Sequence, residues 1–175
     1  MIVNYKGNDV DFTIPFCDYC KEAEGYRNTV YRDIKDYPTV GIGHLVLASD
    51  NLSVGDVIDD ARVLSLFQDD YNALNIEDYV SEVSGYGYNM MLAVGHFIWS
   101  HGNGQYKTSQ LRSGLLNNTF DAESVQTYLA ANWDIHSSRE QNMNMKDFEV
   151  GFSSTPWEPG FFLRLQTHSP RHSLA

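Results

Sequence analysis

The sequence predicts an α+β domain, mainly α, in which a small antiparallel sheet and a helical bundle form two lobes around a shared helix. Three observations carry this. Apolar residues recur at helical spacing from Asp59 onward. β-branched residues flank a Pro-containing turn between Thr29 and Leu47. A chain of 175 residues that is 42% hydrophobic and 13% aromatic fits one globular domain and argues against disorder. At this size folding buries roughly 70% of the unfolded chain's surface, so no disulfide or metal staple is needed.

Residues 1–12 read as an extended, partly polar lead-in. A first helix is marked by Thr13 as cap, by Pro15 in the first turn where its missing N–H costs little, and by Phe16, Tyr19, Cys20 and Ala23 at helical spacing. Gly25 stops it, so Glu24 occupies the last turn. Thr29–Tyr31, a turn over Ile34–Pro38, and Thr39–Leu47 form the sheet, with Asp33 near its first turn. Asn51–Gly55 is a loop. Ala61, Leu64, Phe67, Tyr71 and Leu74 define an amphipathic helix from Asp59, running on or kinking towards Val83, and Gly85-Tyr86-Gly87 breaks it. Asn89–Ser100 is apolar almost all round, as a central buried helix would be. After a turn at His101–Gly104 come helices over Thr108–Leu116 and, capped by Asp121, through Trp133. Arg139–Phe148 is expected to be helical. The single domain of residues 1–175 thus divides into an N-terminal lobe (13–58), a connecting helix (59–83), a helical lobe (84–150) and a C-terminal segment (151–175) without a usable pattern.

Twelve basic against 23 acidic residues give a formal charge of −11, which disfavours nucleic acid as a partner because such binding rests on Lys and Arg neutralising phosphates. No apolar run approaches the roughly 20 residues of a membrane span. The start, MIVNYKGNDVDF, has neither a basic n-region nor an apolar h-region, so no secretory signal is expected. Cys17 and Cys20 form a C-x-x-C without a second pair or a βαβ context. Packing as small apolar residues is the expectation, with an oxidation-prone pair as the alternative and no metal or cofactor.

Glu24–His44 concentrates the chemistry. Asp33 follows Glu24 by nine residues, Thr39 follows Asp33 by six, and Gly41-Ile42-Gly43-His44 closes the stretch. Glycosidic hydrolysis needs a proton donor on one side of the bond and a carboxylate near the anomeric carbon. At a helix C-terminus Glu24 meets the negative end of the macrodipole, which favours its protonated form. Inverting sites hold their carboxyls roughly 6.5–9.5 Å apart with room for water, whereas retaining pairs sit at about 5–5.5 Å. A hydroxyl suits such a water, to which it can both donate and accept. Glu22, two residues before Glu24, lies on another helix face and is read as a solvated charge.

Glu24-Gly25, Tyr31-Arg32-Asp33 and Thr39-Val40-Gly41-Ile42-Gly43-His44 resemble the motif of the phage-type lysozymes, the muramidases of glycoside hydrolase family 24. Leu66-Phe67-Gln68-Asp69-Asp70 and Phe97–Gly102 followed by Ser109-Gln110-Leu111 extend the resemblance over roughly residues 14–150. It implies a lysozyme-like two-lobed fold and cleavage of the β-1,4 bond between N-acetylmuramic acid and N-acetylglucosamine in peptidoglycan. Glu24 would be the acid, Asp33 would stabilise the oxocarbenium-like transition state and help place water, and Thr39 would orient that water. The resemblance also implies a structural pair of His44 with Asp70 (Asp69 being the alternative), substrate contacts at Ser100 and Gly102, and tuning of the acid by Arg139. Ser100 stands where the family usually has Asn or Gln, and paired arginines common after the Trp133 position are missing.

Other functions remain open to the sequence, the most distant being a metal or redox protein built on Cys17 and Cys20. A lytic transglycosylase needs chiefly the acid, so Asp33 and Thr39 argue against it. A non-catalytic wall-binding protein of the same fold has no need of all three residues. Peptidoglycan strands are the expected partner of a monomer that acts on the bacterial wall after release as a phage lysin or delivery as an antibacterial effector. The acidic charge leans towards delivery, which would entail a cognate immunity protein.

Overall fold

The computed structural model describes residues 1–132 and the backbone of residues 148–151 and 162–165. An N-terminal hairpin opens the chain, with β1 (Ile2–Tyr5) antiparallel to β2 (Asn8–Asp11). The expected lead-in is therefore a paired ribbon. Lys6 and Gly7, at φ 52° and 81°, form a two-residue turn with both central residues left-handed, matching the twist of the strands.

α1 (Thr13–Glu24) follows. Thr13 is its first helical residue and not its cap. Asp11 Oδ1 accepts from the Thr13 N–H at 3.0 Å and from its hydroxyl at 2.8 Å. Gly25, at φ 82°, ends the helix and donates its N–H to the Lys21 carbonyl at 3.0 Å. The chain can then enter a three-stranded antiparallel sheet of β3 (Arg27–Arg32), β4 (Pro38–Gly41) and β5 (His44–Leu45), in that order. The free side of β3 is also covered. Val30 N–H donates to Asp56 O and Ile58 N–H to Asn28 O, both at 2.8 Å.

The stretch after Asp59 is two helices, α2 (Asp60–Ala73) and α3 (Ile76–Glu82). Asn75 separates them in the left-handed region at φ 52°, a conformation Asn tolerates. Asp59 caps α2 by accepting from Arg62 N–H at 2.8 Å. α4 (Tyr88–His101) is buried at every residue from Met90 to Ile98, as its all-round apolar pattern requires. Gly102 ends it at φ 86° and α5 (Asn103–Lys107) begins at once where a turn was expected. α6 (Gln110–Leu116) and α7 (Ala122–Asn132) follow, their starts capped by Ser109 and Asp121. β6 (Phe148–Gly151) pairs antiparallel with β7 (Phe162–Leu165) in the C-terminal part, so Phe148 belongs to a strand, while 139–147 lies outside the described residues.

Phe16 organises the core between the lobes. Its ring packs 5.7 Å from Phe12, 5.7 Å from Tyr71, 6.0 Å from Phe67 and 6.1 Å from Trp99. Such burial is worth about 1.5–3 kcal/mol per large apolar side chain. α1 can approach α4 this closely because residue 95 is Gly: a Cβ there would sit 2.8 Å from Phe16 Cε2. That contact sets the helix pair on which the site is built.

Candidate active site

Glu24 ends α1 against α4. Its Oε1 lies 3.0 Å from His96 Nε2, and the Glu24 side chain is 14% exposed. His96 is 1% exposed, and burial pushes its pKa down to about 3. The imidazole is thus neutral at ordinary pH, and the contact is a hydrogen bond, not an ion pair. The Tyr19 ring meets the imidazole edge-on at 5.1 Å and 79°.

Asp33 directly follows β3 in the β3–β4 hairpin. Its Oδ1 accepts from the N–H groups of Lys35 and Tyr37, each at 2.9 Å. Thr39 pairs with Tyr31 across the hairpin, is 5% exposed, and donates its hydroxyl to the Tyr37 carbonyl at 3.1 Å. Both side chains therefore grip the backbone of Tyr37. The turn thereby occupies Oδ1 of Asp33. Gly25 and β3 connect this hairpin to Glu24, and the Tyr26 hydroxyl donates to Asp60 at the start of α2.

His44 fastens the sheet to α2. Its Nδ1 is 2.8 Å from Asp70 Oδ2, and its Nε2 is 3.0 Å from Asp50 Oδ2. Asp50 also accepts from Leu47 N–H at 2.6 Å and lies 3.7 Å from Arg62. Burial alone lowers the pKa of His44, but the two aspartates outweigh it and the net shift is upward. The Asp50 carboxyl is desolvated, which opposes ionisation, yet His44, the Leu47 N–H and Arg62 bring its pKa down. Gly41 completes this junction: at φ 68° it allows β4 to pass α2, and a Cβ would lie 3.1 Å from Val63 Cγ1.

Ser100 and Gly102 lie at the end of α4. Ser100 is one turn beyond His96, and its buried Oγ has no hydrogen-bond partner among the described residues. Arg139 lies outside the described residues. Asp69 and Glu22 are exposed. Cys17 and Cys20 are unbridged and packed in the core at 6% and 0% exposure, and burial raises both thiol pKa values. Among the described residues no group of three or more His, Cys, Asp or Glu is arranged to hold a metal, and no helix is long and apolar enough to cross a membrane. An open depression of about 560 Å³, lined in part by Gln110, Asp121, Glu123 and Tyr128, includes none of Glu24, Asp33 and Thr39 in its wall.

Sequence reasoning missed His96 and Asp50. A single imidazole within the otherwise apolar run Met90–Trp99 was the available signal for His96. Asp50 sits in a polar loop with no spacing to mark it.

The architecture is a lysozyme fold. A point mutant of P22 lysozyme superposes with a TM-score of 0.53 at 20% identity, over 66% of this chain and 79% of that one. The endolysin from Escherichia coli O157:H7 phage FAHEc1 gives 0.54 at 16%, over 70% and 76%. At these identities the likeness is one of fold. No curated protein matches the sequence. The phage lysozyme family profile matches residues 21–143, and the chain belongs to that family.

Proposed function

We propose that the protein is a muramidase that hydrolyses the β-1,4 bond between N-acetylmuramic acid and N-acetylglucosamine in peptidoglycan with inversion. The observation that carries this reading is Glu24, a largely buried carboxyl at a helix C-terminus, hydrogen-bonded to a neutral histidine. That setting withdraws the carboxyl from bulk water and fixes its orientation, as a positioned proton donor requires. Family membership supports the reading.

In the proposed step the Glu24 O–H breaks as its proton passes to the glycosidic oxygen, which departs with the electron pair of the C–O bond. A water attacks the anomeric carbon from the opposite face and loses a proton to Asp33. Oδ1 of Asp33 is held by the turn, so its orientation is set before substrate binds. Thr39, on the same hairpin as Asp33, is the hydroxyl we assign to orienting the water.

Mass spectrometry of purified peptidoglycan digested by wild type and by Glu24→Gln tests the proposal. Wild type should release fragments ending in reducing N-acetylmuramic acid, and folded Glu24→Gln should release at least about 10²-fold less per unit time. Fragments ending in 1,6-anhydro-muramic acid would identify a transglycosylase. Equal release by the variant would remove Glu24 from the mechanism.

A further inference from the structure

We infer that His96 is a positioning residue for Glu24: its Nε2–H donates to Oε1 and so directs the acid's proton to Oε2, the oxygen that delivers it to the leaving sugar. The inference rests on Glu24 being the acid. The 3.0 Å contact comes from a ring with 1% exposure on the most buried helix. Packing therefore sets the position of the donor, with little freedom to follow the carboxyl. The edge-on Tyr19 ring fixes the imidazole plane, and the Gly95–Phe16 contact fixes the spacing of the two helices. Tyr19 and Glu24 are the titratable groups by which α1 touches this imidazole.

A carboxylic acid has one carbonyl-type oxygen and one hydroxyl oxygen. An N–H donor pointed at Oε1 stabilises the carbonyl form there and leaves the proton on Oε2. Burial pushes the imidazole pKa down to about 3, so the ring stays neutral and exchanges no proton with the acid. The same N–H bond serves the acid before transfer and the carboxylate after it, so no regrouping is needed within the catalytic cycle.

Three folded variants and one spectrum test this. His96→Leu removes the donor while keeping an apolar side chain, and should lower kcat by about 10²-fold with KM unchanged, the size of effect that a misplaced catalytic group produces. His96→Gln presents an amide N–H at the place of Nε2 and should recover at least about tenfold of that loss. Glu24→Gln separates the two readings. If it stays active, the acid assignment fails. If it is inactive while His96→Leu keeps the wild-type kcat, or loses only in KM, the positioning inference alone fails. Nitrogen-15 NMR of the wild-type imidazole near neutral pH should show Nε2 protonated and Nδ1 bare. An Nδ1–H ring overturns the inference, and this spectrum decides alone if His96→Leu does not fold.

Discussion

His44 and His96 are both buried, at 5% and 1% exposure, and each places a ring nitrogen within about 3 Å of a carboxylate oxygen. Their protonation tendencies run in opposite directions. His96 lies within an apolar helix, and burial lowers its pKa to about 3. His44 faces Asp70 on one nitrogen and Asp50 on the other, and its pKa rises. The difference teaches that desolvation sets the charge of a buried histidine until a second carboxylate is added. A neutral imidazole can hold the proposed general acid without forming an ion pair with it. An imidazole held between two carboxylates can lock a sheet to a helix.

The largest expected effect that sharpens this contrast is on activity. Asp33→Ala should lower kcat by about 10²-fold or more, because it removes the group proposed to take the water's proton, and should lower the thermal midpoint only modestly, because the Lys35 and Tyr37 N–H groups lose their acceptor. A steady-state assay on peptidoglycan beside a melting curve checks both halves.

On the His44 side the effect should be on stability. His44→Leu leaves Asp50 and Asp70 without their shared partner and should cost about 3 kcal/mol in chemical denaturation. The loss should depend on pH. The folded pKa of His44 is above its ordinary 6.5, so its contribution is fully present below that value and disappears as pH rises through the folded pKa. Asp50 has a folded pKa below its ordinary 3.8, so its contribution is present above that value and is lost as pH falls through the folded pKa. The gap between wild type and variant should therefore be widest between roughly pH 4 and 6.5 and should narrow in alkali. A pH-independent gap would contradict the charged assignment.

Gly41→Ala should cost about 1–2 kcal/mol by forcing a side chain into the left-handed region, with the Val63 contact at 3.1 Å adding to it. Because Thr39 is two residues away on the same strand, activity should fall as well. The smallest effect belongs to an ordinary surface pair. Arg112 binds Glu82 through two hydrogen bonds of 2.9 and 2.7 Å, both side chains being about a quarter exposed, and Arg112→Ala should cost about 0.5–1 kcal/mol with no change in rate.

Much of this was legible in the residues. Gly25 announced the end of α1, and β-branched residues around Pro38 announced the small sheet. The continuous apolar pattern announced a buried α4. The N-terminal hairpin was missed because its strands are short and half polar, leaving Lys6-Gly7 as the only turn signal. The break at Asn75 lay hidden because apolar positions continue on both sides of it. In the candidate site, the motif spacing singled out Glu24, Asp33 and Thr39 but could not reveal that Asp33 and Thr39 both hold the Tyr37 backbone. Neither His96 nor Asp50 could be paired from sequence, since both bonds join segments distant along the chain or lacking a repeat.

The proposed chemistry fixes the configuration of the first product. Proton NMR of the reducing sugar released in the opening seconds of glycan cleavage, before mutarotation, reads it directly. A water placed by Asp33 and Thr39 opposite the bond that Glu24 protonates predicts the α anomer. A β anomer, or a product with no reducing-end proton, would contradict the account.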